Sequence, residues 1–225
     1  MADRETRHVR ASSVTRALNA IGDRWTLLVI RDLIGGPRRF TDLMERLGGI
    51  TPKTLSQRLR DLEADGLIEA DREAGRREVW YRLSPEGQDL WPALEELLVW
   101  GLRHSARPWQ PGEPAHPEHL LLALRTMLDR EDLQLGPVRW VFQFADDDSY
   151  SIRNDEGRWT LTRGEVDAPD IIVTTSRDAW ARFLTTPLAQ RAAEQPDTQF
   201  AGSRHAIRAF MNAIEAFPYR GTTAA

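Results

Sequence analysis

Cysteine is absent from all 225 residues. That excludes disulfide scaffolds, cysteine-type zinc sites, thiol nucleophiles and thiol redox sensing together. Lysine is almost absent as well: Lys53 is the only one among thirty basic residues. No apolar run approaches a membrane span; Trp25–Ile30 and Leu120–Leu124 are far too short. Residues Met1 to Arg10 are charged and lack the apolar core of a signal peptide, so a cytoplasmic location without membrane attachment is expected. Internal repeats, low-complexity tracts and a glycine-rich phosphate loop are also missing. What remains is 41% hydrophobic and 28% charged residues, a globular composition in a chain long enough for two ordinary domains.

The stretch His104 to Pro117 reads H-S-A-R-P-W-Q-P-G-E-P-A-H-P. Four prolines and a glycine cannot sustain a helix or a central strand, which predicts a linker over 107–117 between domains at 1–106 and 118–225. A cut at Arg107 divides the net charge of −4 unevenly: 18 basic against 17 acidic residues before it, 12 against 17 after it. The first part is near neutral and the second acidic.

In the first part, helices are expected to close at Ala17–Ile21 and to span Trp25–Ile34, which Gly35-Gly36-Pro37 ends. A shorter one runs over Thr41–Leu47. The next stretch, Thr51 to Gly66, carries the most information. Thr51 can cap a helix, Pro52 suits its first turn, and Gly66 supplies a left-handed stop. Leu55, Leu59 and Leu62 fall on one stripe. The opposite face holds Lys53, Ser56, Gln57 and Arg60, donors of the kind that reach phosphates and base edges. Arg58 lies beside the stripe and three residues before Asp61, so an ion pair competes with a phosphate contact there. Leu67–Asp71 and Glu78–Leu83 alternate like strands around a tip bearing Arg72, Arg76 and Arg77. Between Arg38 and Arg60 six basic residues face two acids, a local balance of +4. Trp25 and Trp80 are expected in the core. Helix, turn, capped helix and basic hairpin in this order predict a DNA reader, with contacts from Arg38, Arg39, Thr51, Pro52, Lys53, Thr54, Ser56, Gln57, Arg60, Arg76 and Arg77.

These residues also carry a resemblance. Ala17 to Leu28 (ALNAIGDRWTLL), Gly36 to Phe40 (GPRRF), Gly49 to Leu59 (GITPKTLSQRL) and Tyr81 to Gly87 (YRLSPEG) resemble the HxlR-type winged helix-turn-helix regulators, over roughly residues 10 to 103. Such proteins are similar to MarR-type regulators. The resemblance implies a mainly α fold with a β-hairpin wing, and homodimers on pseudo-palindromic double-stranded operators. Many members carry a cysteine ahead of the first helix; here that region reads Ala11-Ser12-Ser13-Val14, so a thiol switch is not available. Ser84 and Pro85 start a further helix carrying Leu90, Trp91, Leu94, Leu97, Leu98 and Leu102, which Pro92 is expected to bend. Its apolar surface either packs on its own domain or forms a dimer interface with the first helix. The second arrangement sets two recognition helices about 34 Å apart.

Beyond the linker, an amphipathic helix over Pro117–Asp129 precedes four strand-like runs: Arg139–Phe144, Tyr150–Ile152, Trp159–Leu161 and Ile171–Val173. Helices then carry Trp180, Phe183 and Leu184; Leu188; and Ile207, Phe210, Met211, Ile214 and Phe217. An α+β domain follows, an antiparallel sheet with helices gathered on one side. Its order of elements, with Ala168 to Thr175 (APDIIVTT) and Phe200 to Ser203 (FAGS), resembles sterol-carrier-protein-type domains over about 118 to 218. That resemblance implies an apolar ligand pocket, which Trp140, Phe142, Tyr150, Trp159, Phe183, Phe210 and Met211 either line or simply fill as core. No catalytic or metal constellation is read. Asp146-Asp147-Asp148 is a turn, His116 and His119 sit beside two prolines, and Ser203 and His205 lack a nucleophile elbow. The expected function is a dimeric transcriptional regulator, most simply a repressor, that is not an enzyme, needs no cofactor and senses a small apolar effector. The alternatives for the second domain are a structural or partner-binding module, or an enzyme acting on lipid-like substrates.

Overall fold

A computed structural model describes residues 12–72, 78–104, 107–131, 133, 135–145, 147–186 and 197–215. The chain forms two compact units, Met1–Leu94 and Glu95–Ala225.

In the first unit, α1 spans Ser13–Ile21 and α2 Arg24–Ile34; Asp23 caps α2 by accepting the Trp25 N–H at 2.9 Å. The two-residue strand β1 (Arg38–Arg39) leads directly into α3 (Phe40–Leu47). Next comes α4 (Pro52–Ala64), where Thr51 accepts the Thr54 N–H at 3.2 Å and Pro52 occupies the first turn, as the sequence predicts. Gly66 closes it at φ +73°, and the Leu67 N–H returns to the Leu62 carbonyl at 2.9 Å. The stripe Leu55, Leu59 and Leu62 is buried in a cluster with Val29, Ile30, Leu33 and Leu43. Strands β2 (Ile68–Asp71) and β3 (Trp80–Leu83) pair antiparallel, Asp71 opposite Trp80, and β1 adds to the far side of β3. This is the expected helix-turn-helix followed by a hairpin.

Residues expected to form one bent helix make two. The short α5 (Pro85–Gln88) is capped by Ser84, and α6 (Trp91–His104) begins anew. Pro92 therefore sits in a first turn, where its missing N–H costs nothing, rather than bending a helix interior. The two units divide inside α6 and not at the proline-rich stretch. The reason is packing: Val99 is buried in the second unit's core, with Leu98 and Leu102 against it. The proline-rich residues are themselves held, since the Trp109 backbone N–H donates to the Thr185 hydroxyl at 3.0 Å.

The second unit adds α7 (Pro117–Arg130), β4 (Val138–Phe144), β5 (Tyr150–Asp155), β6 (Arg158–Arg163), β7 (Ile171–Thr175), α8 (Arg177–Thr185), β8 (Gln199–Gly202) and α9 (Arg204–Glu215). The sheet order is β6-β5-β4-β7-β8. Two expectations are corrected here. The sheet has a fifth strand, β8, and it is mixed, because β4 and β7 run parallel with Phe142 opposite Val173. Trp140, Phe142, Ile152, Trp159 and Val173 share a core with residues of α7, α8 and α9.

Candidate nucleic-acid interface

On α4 the buried leucine stripe fixes which side faces outward. Thr51, Pro52, Lys53, Gln57 and Arg60 are exposed, and Thr54 and Ser56 are partly covered. The Thr51 and Thr54 hydroxyls meet at 2.8 Å, continuing the cap onto the surface. Further along, the Arg60 guanidinium donates to the Gln57 carbonyl oxygen at 2.6 Å, and the Gln57 amide donates to Asp61 at 2.6 Å. Arg58 pairs with Asp61 at 2.8 Å, the ion pair that its spacing offers. The side-chain amide of Gln57 thus bridges Arg60 and Asp61.

Much of the local positive charge is committed to carboxylates. Arg46 lies 3.5 Å from Asp32, whose buried side chain also meets Arg31 at 3.1 Å. Arg39 meets Asp42 at 3.2 Å and Glu78 at 3.0 Å, and its guanidinium stands 5.4 Å from the Trp80 ring. Burial pushes the Asp42 carboxyl up, but bonds from the Arg39 guanidinium and backbone N–H outweigh it and leave the group below the usual carboxylate range. Arg38 directs Nε toward the Asp32 carbonyl at 3.5 Å. The +4 read from the sequence therefore shrinks, and Lys53 and Arg60 are the cations on the outer face of α4.

Trp80 was expected in the core but is 36% exposed, because it stands on β3 at the surface, with the Arg39 guanidinium over its ring. Trp25 packs against the core as expected. One contact has no signal in the sequence: Arg72 grips Glu63 with two nitrogens, at 2.5 and 2.7 Å, tying the base of the hairpin to the end of α4. Arg76 and Arg77 lie outside the described residues.

In the second unit the residues proposed for a pocket come together, but against one another. Trp140 stacks edge-on to Phe210 at 4.9 Å and lies 5.2 Å from Trp159, and Trp180 stands 5.2 Å from Phe142 and 5.3 Å from Phe183. Tyr150 is buried with them, and Met211 is partly buried at the margin. Leu188 and Phe217 lie outside the described residues. Among the described residues no helix is long and apolar enough to cross a membrane.

Comparison with known proteins places the first part of the chain. An uncharacterized HTH-type transcriptional regulator of Mycobacterium tuberculosis is 43% identical over 102 residues, covering 44% of this chain and 63% of that relative. The chain thus spans less than two thirds of its mycobacterial relatives. A counterpart in Methanothermobacter thermautotrophicus is 37% identical over 105 residues, with 79% of its length covered. Among solved structures, the reduced form of the transcriptional regulator YodB from B. subtilis is 29% identical, covering 44% of this chain and 93% of that one at a TM-score of 0.36. Residues 20–108 match the HxlR-like helix-turn-helix, and with the archaeal relative matched over most of its length, the chain belongs to that family.

Proposed function

We propose that this chain is a sequence-specific DNA-binding transcriptional regulator, cytoplasmic, acting as a homodimer that represses at a pseudo-palindromic operator. One observation carries the reading: the capped start of α4 presents Thr51, Pro52, Lys53 and Gln57 outward above a fully buried leucine stripe, beside a paired hairpin. The helix enters the major groove, with Gln57 and Ser56 toward base edges and Lys53, Thr54 and Arg60 toward phosphates. Arg38 and Arg39 flank it, and Arg76 and Arg77 follow the neighbouring backbone from the wing. Dimerisation uses apolar side chains that stand in solvent, Val14 and Leu18 on α1 and Leu97 and Trp100 on α6.

The second unit, with its likeness to sterol-carrier-protein-type domains, binds a small, largely apolar effector. A groove lined by Leu133, Leu135, Ala209 and Ala213 supports this. The reading is tested by selecting bound genomic fragments and titrating the best of them at several salt concentrations. Lys53→Gln should weaken binding on every sequence and lower the salt slope by about one unit, and a double Arg76→Gln, Arg77→Gln change by about one to two. Unchanged affinity and slope in both would remove this surface from the account.

A further inference from the structure

A groove of about 230 Å³ lies along α9. Leu133, Leu135, Ala209 and Ala213 give it an apolar floor. His205, Arg208 and Asn212 form its rim, spaced so that one helical face presents all three. The floor is set by the chain itself. The Leu133 N–H donates to the Glu131 carbonyl and the Leu135 N–H to that of Leu133, both at 2.7 Å.

Arg208 is the arginine that borders this apolar floor. Residues after Arg107 carry 12 basic against 17 acidic side chains, so an arginine there has a surplus of carboxylates to choose from. Arg125, Arg130 and Arg163 each take one. Arg208 and His205 have no ionic or hydrogen-bond partner among the described residues, although both border an apolar surface. A guanidinium fork matches a carboxylate in shape as well as charge. The volume sets the size: at about 20–30 Å³ per non-hydrogen atom, it holds roughly eight to eleven of them. A sterol or a long acyl chain is far too large.

Resting on the effector reading above, we infer that this groove binds a small monocarboxylic acid with a single ring or short alkyl chain. The carboxylate sits on Arg208, with Asn212 and His205 as further donors, and the hydrocarbon lies on Leu133, Leu135, Ala209 and Ala213.

Calorimetric titration of the full chain with octanoate and benzoate, against octanol and benzyl alcohol, tests the site. The acids should bind about tenfold more tightly than the matching alcohols, as expected when a charged hydrogen bond is added. Arg208→Gln, a change at an exposed position, should remove that advantage and leave the alcohols unaffected. Ala209→Phe fills the floor and should weaken both classes. Equal affinity for acid and alcohol, or acid binding indifferent to Arg208→Gln, overturns the site. Operator binding is measured alongside. Acid that binds at the groove without changing operator affinity retires the sensing role and leaves the site standing. Acid that releases operator equally from the Arg208→Gln protein overturns the site and leaves sensing standing.

Discussion

Arg72 and Glu63 meet through two bonds at the point where the hairpin leaves α4, and the consequence is a pH dependence. The Arg72 guanidinium holds the Glu63 carboxyl below its usual range, against a smaller opposing effect of burial. A carboxyl with a depressed folded value contributes stability that is complete above its unfolded value, about 4.3, and lost as pH falls through the folded value. Asp42, held by Arg39, behaves the same way. Thermal melts of the chain should therefore keep a constant midpoint from neutral pH to about 5 and fall below about 4. Glu63→Gln should lower the plateau and flatten that acid limb; an acid limb of unchanged depth would show the pair to be idle. At this scale the sequence was readable only for near neighbours. Arg58 and Asp61 lie one helical turn apart, so their pairing followed from spacing. Arg46 and Asp32, or Arg72 and Glu63, meet only because the chain folds back, and no local pattern announces them.

Elements were legible in proportion to how much of their stability is local. The helix α4 announced itself through a cap, a first-turn proline, a leucine stripe and a glycine stop, all within Thr51–Gly66. The strand β8 did not, because Gln199–Gly202 holds one large apolar side chain and owes its form to pairing with β7. The parallel pairing of β4 with β7 was invisible for a similar reason, since the two strands are joined through the whole of β5 and β6. Pro92 was misread because a proline signals equally a bend or a beginning. The later turns of α6 are fastened to α7 by two ion pairs, Glu95 with Arg125 and Glu96 with Arg130 at 2.7 Å. The first is largely shielded from water, and Arg125 also donates to the Trp159 carbonyl at 3.1 Å. Glu95→Ala leaves that guanidinium with the more distant Asp129 carboxylate at 3.7 Å and should cost about 2 kcal/mol in chemical denaturation. The more exposed Glu96→Ala should cost under about 1 kcal/mol. Equal losses at the two positions would contradict this ranking.

For the whole molecule, the exposed apolar side chains invite a second copy. Leu18 on α1 is 58% exposed and Trp100 on α6 is 59% exposed, values that a solitary helix face seldom sustains for residues this large. Sedimentation should show a dimer for the unaltered chain. The double change Leu18→Glu, Trp100→Glu should give a monomer that keeps its circular dichroism and binds operator DNA far more weakly; a dimer that survives it would place the interface elsewhere. The division of the chain inside α6 bears on how such a protein could be assembled from parts. By sequence, α6 belongs to the HxlR-like share of the chain, which runs to residue 108. By packing, everything from Glu95 onward belongs to the other unit. A gene fusion that joined a ready-made tail at the proline-rich stretch would deliver a core lacking Val99, with Arg125 and Arg130 facing empty positions. The exchangeable cassette therefore begins one helix earlier than the prolines suggest, and a recombinant that swaps tails at Leu94/Glu95 should inherit a complete core where one cut at Arg107 does not.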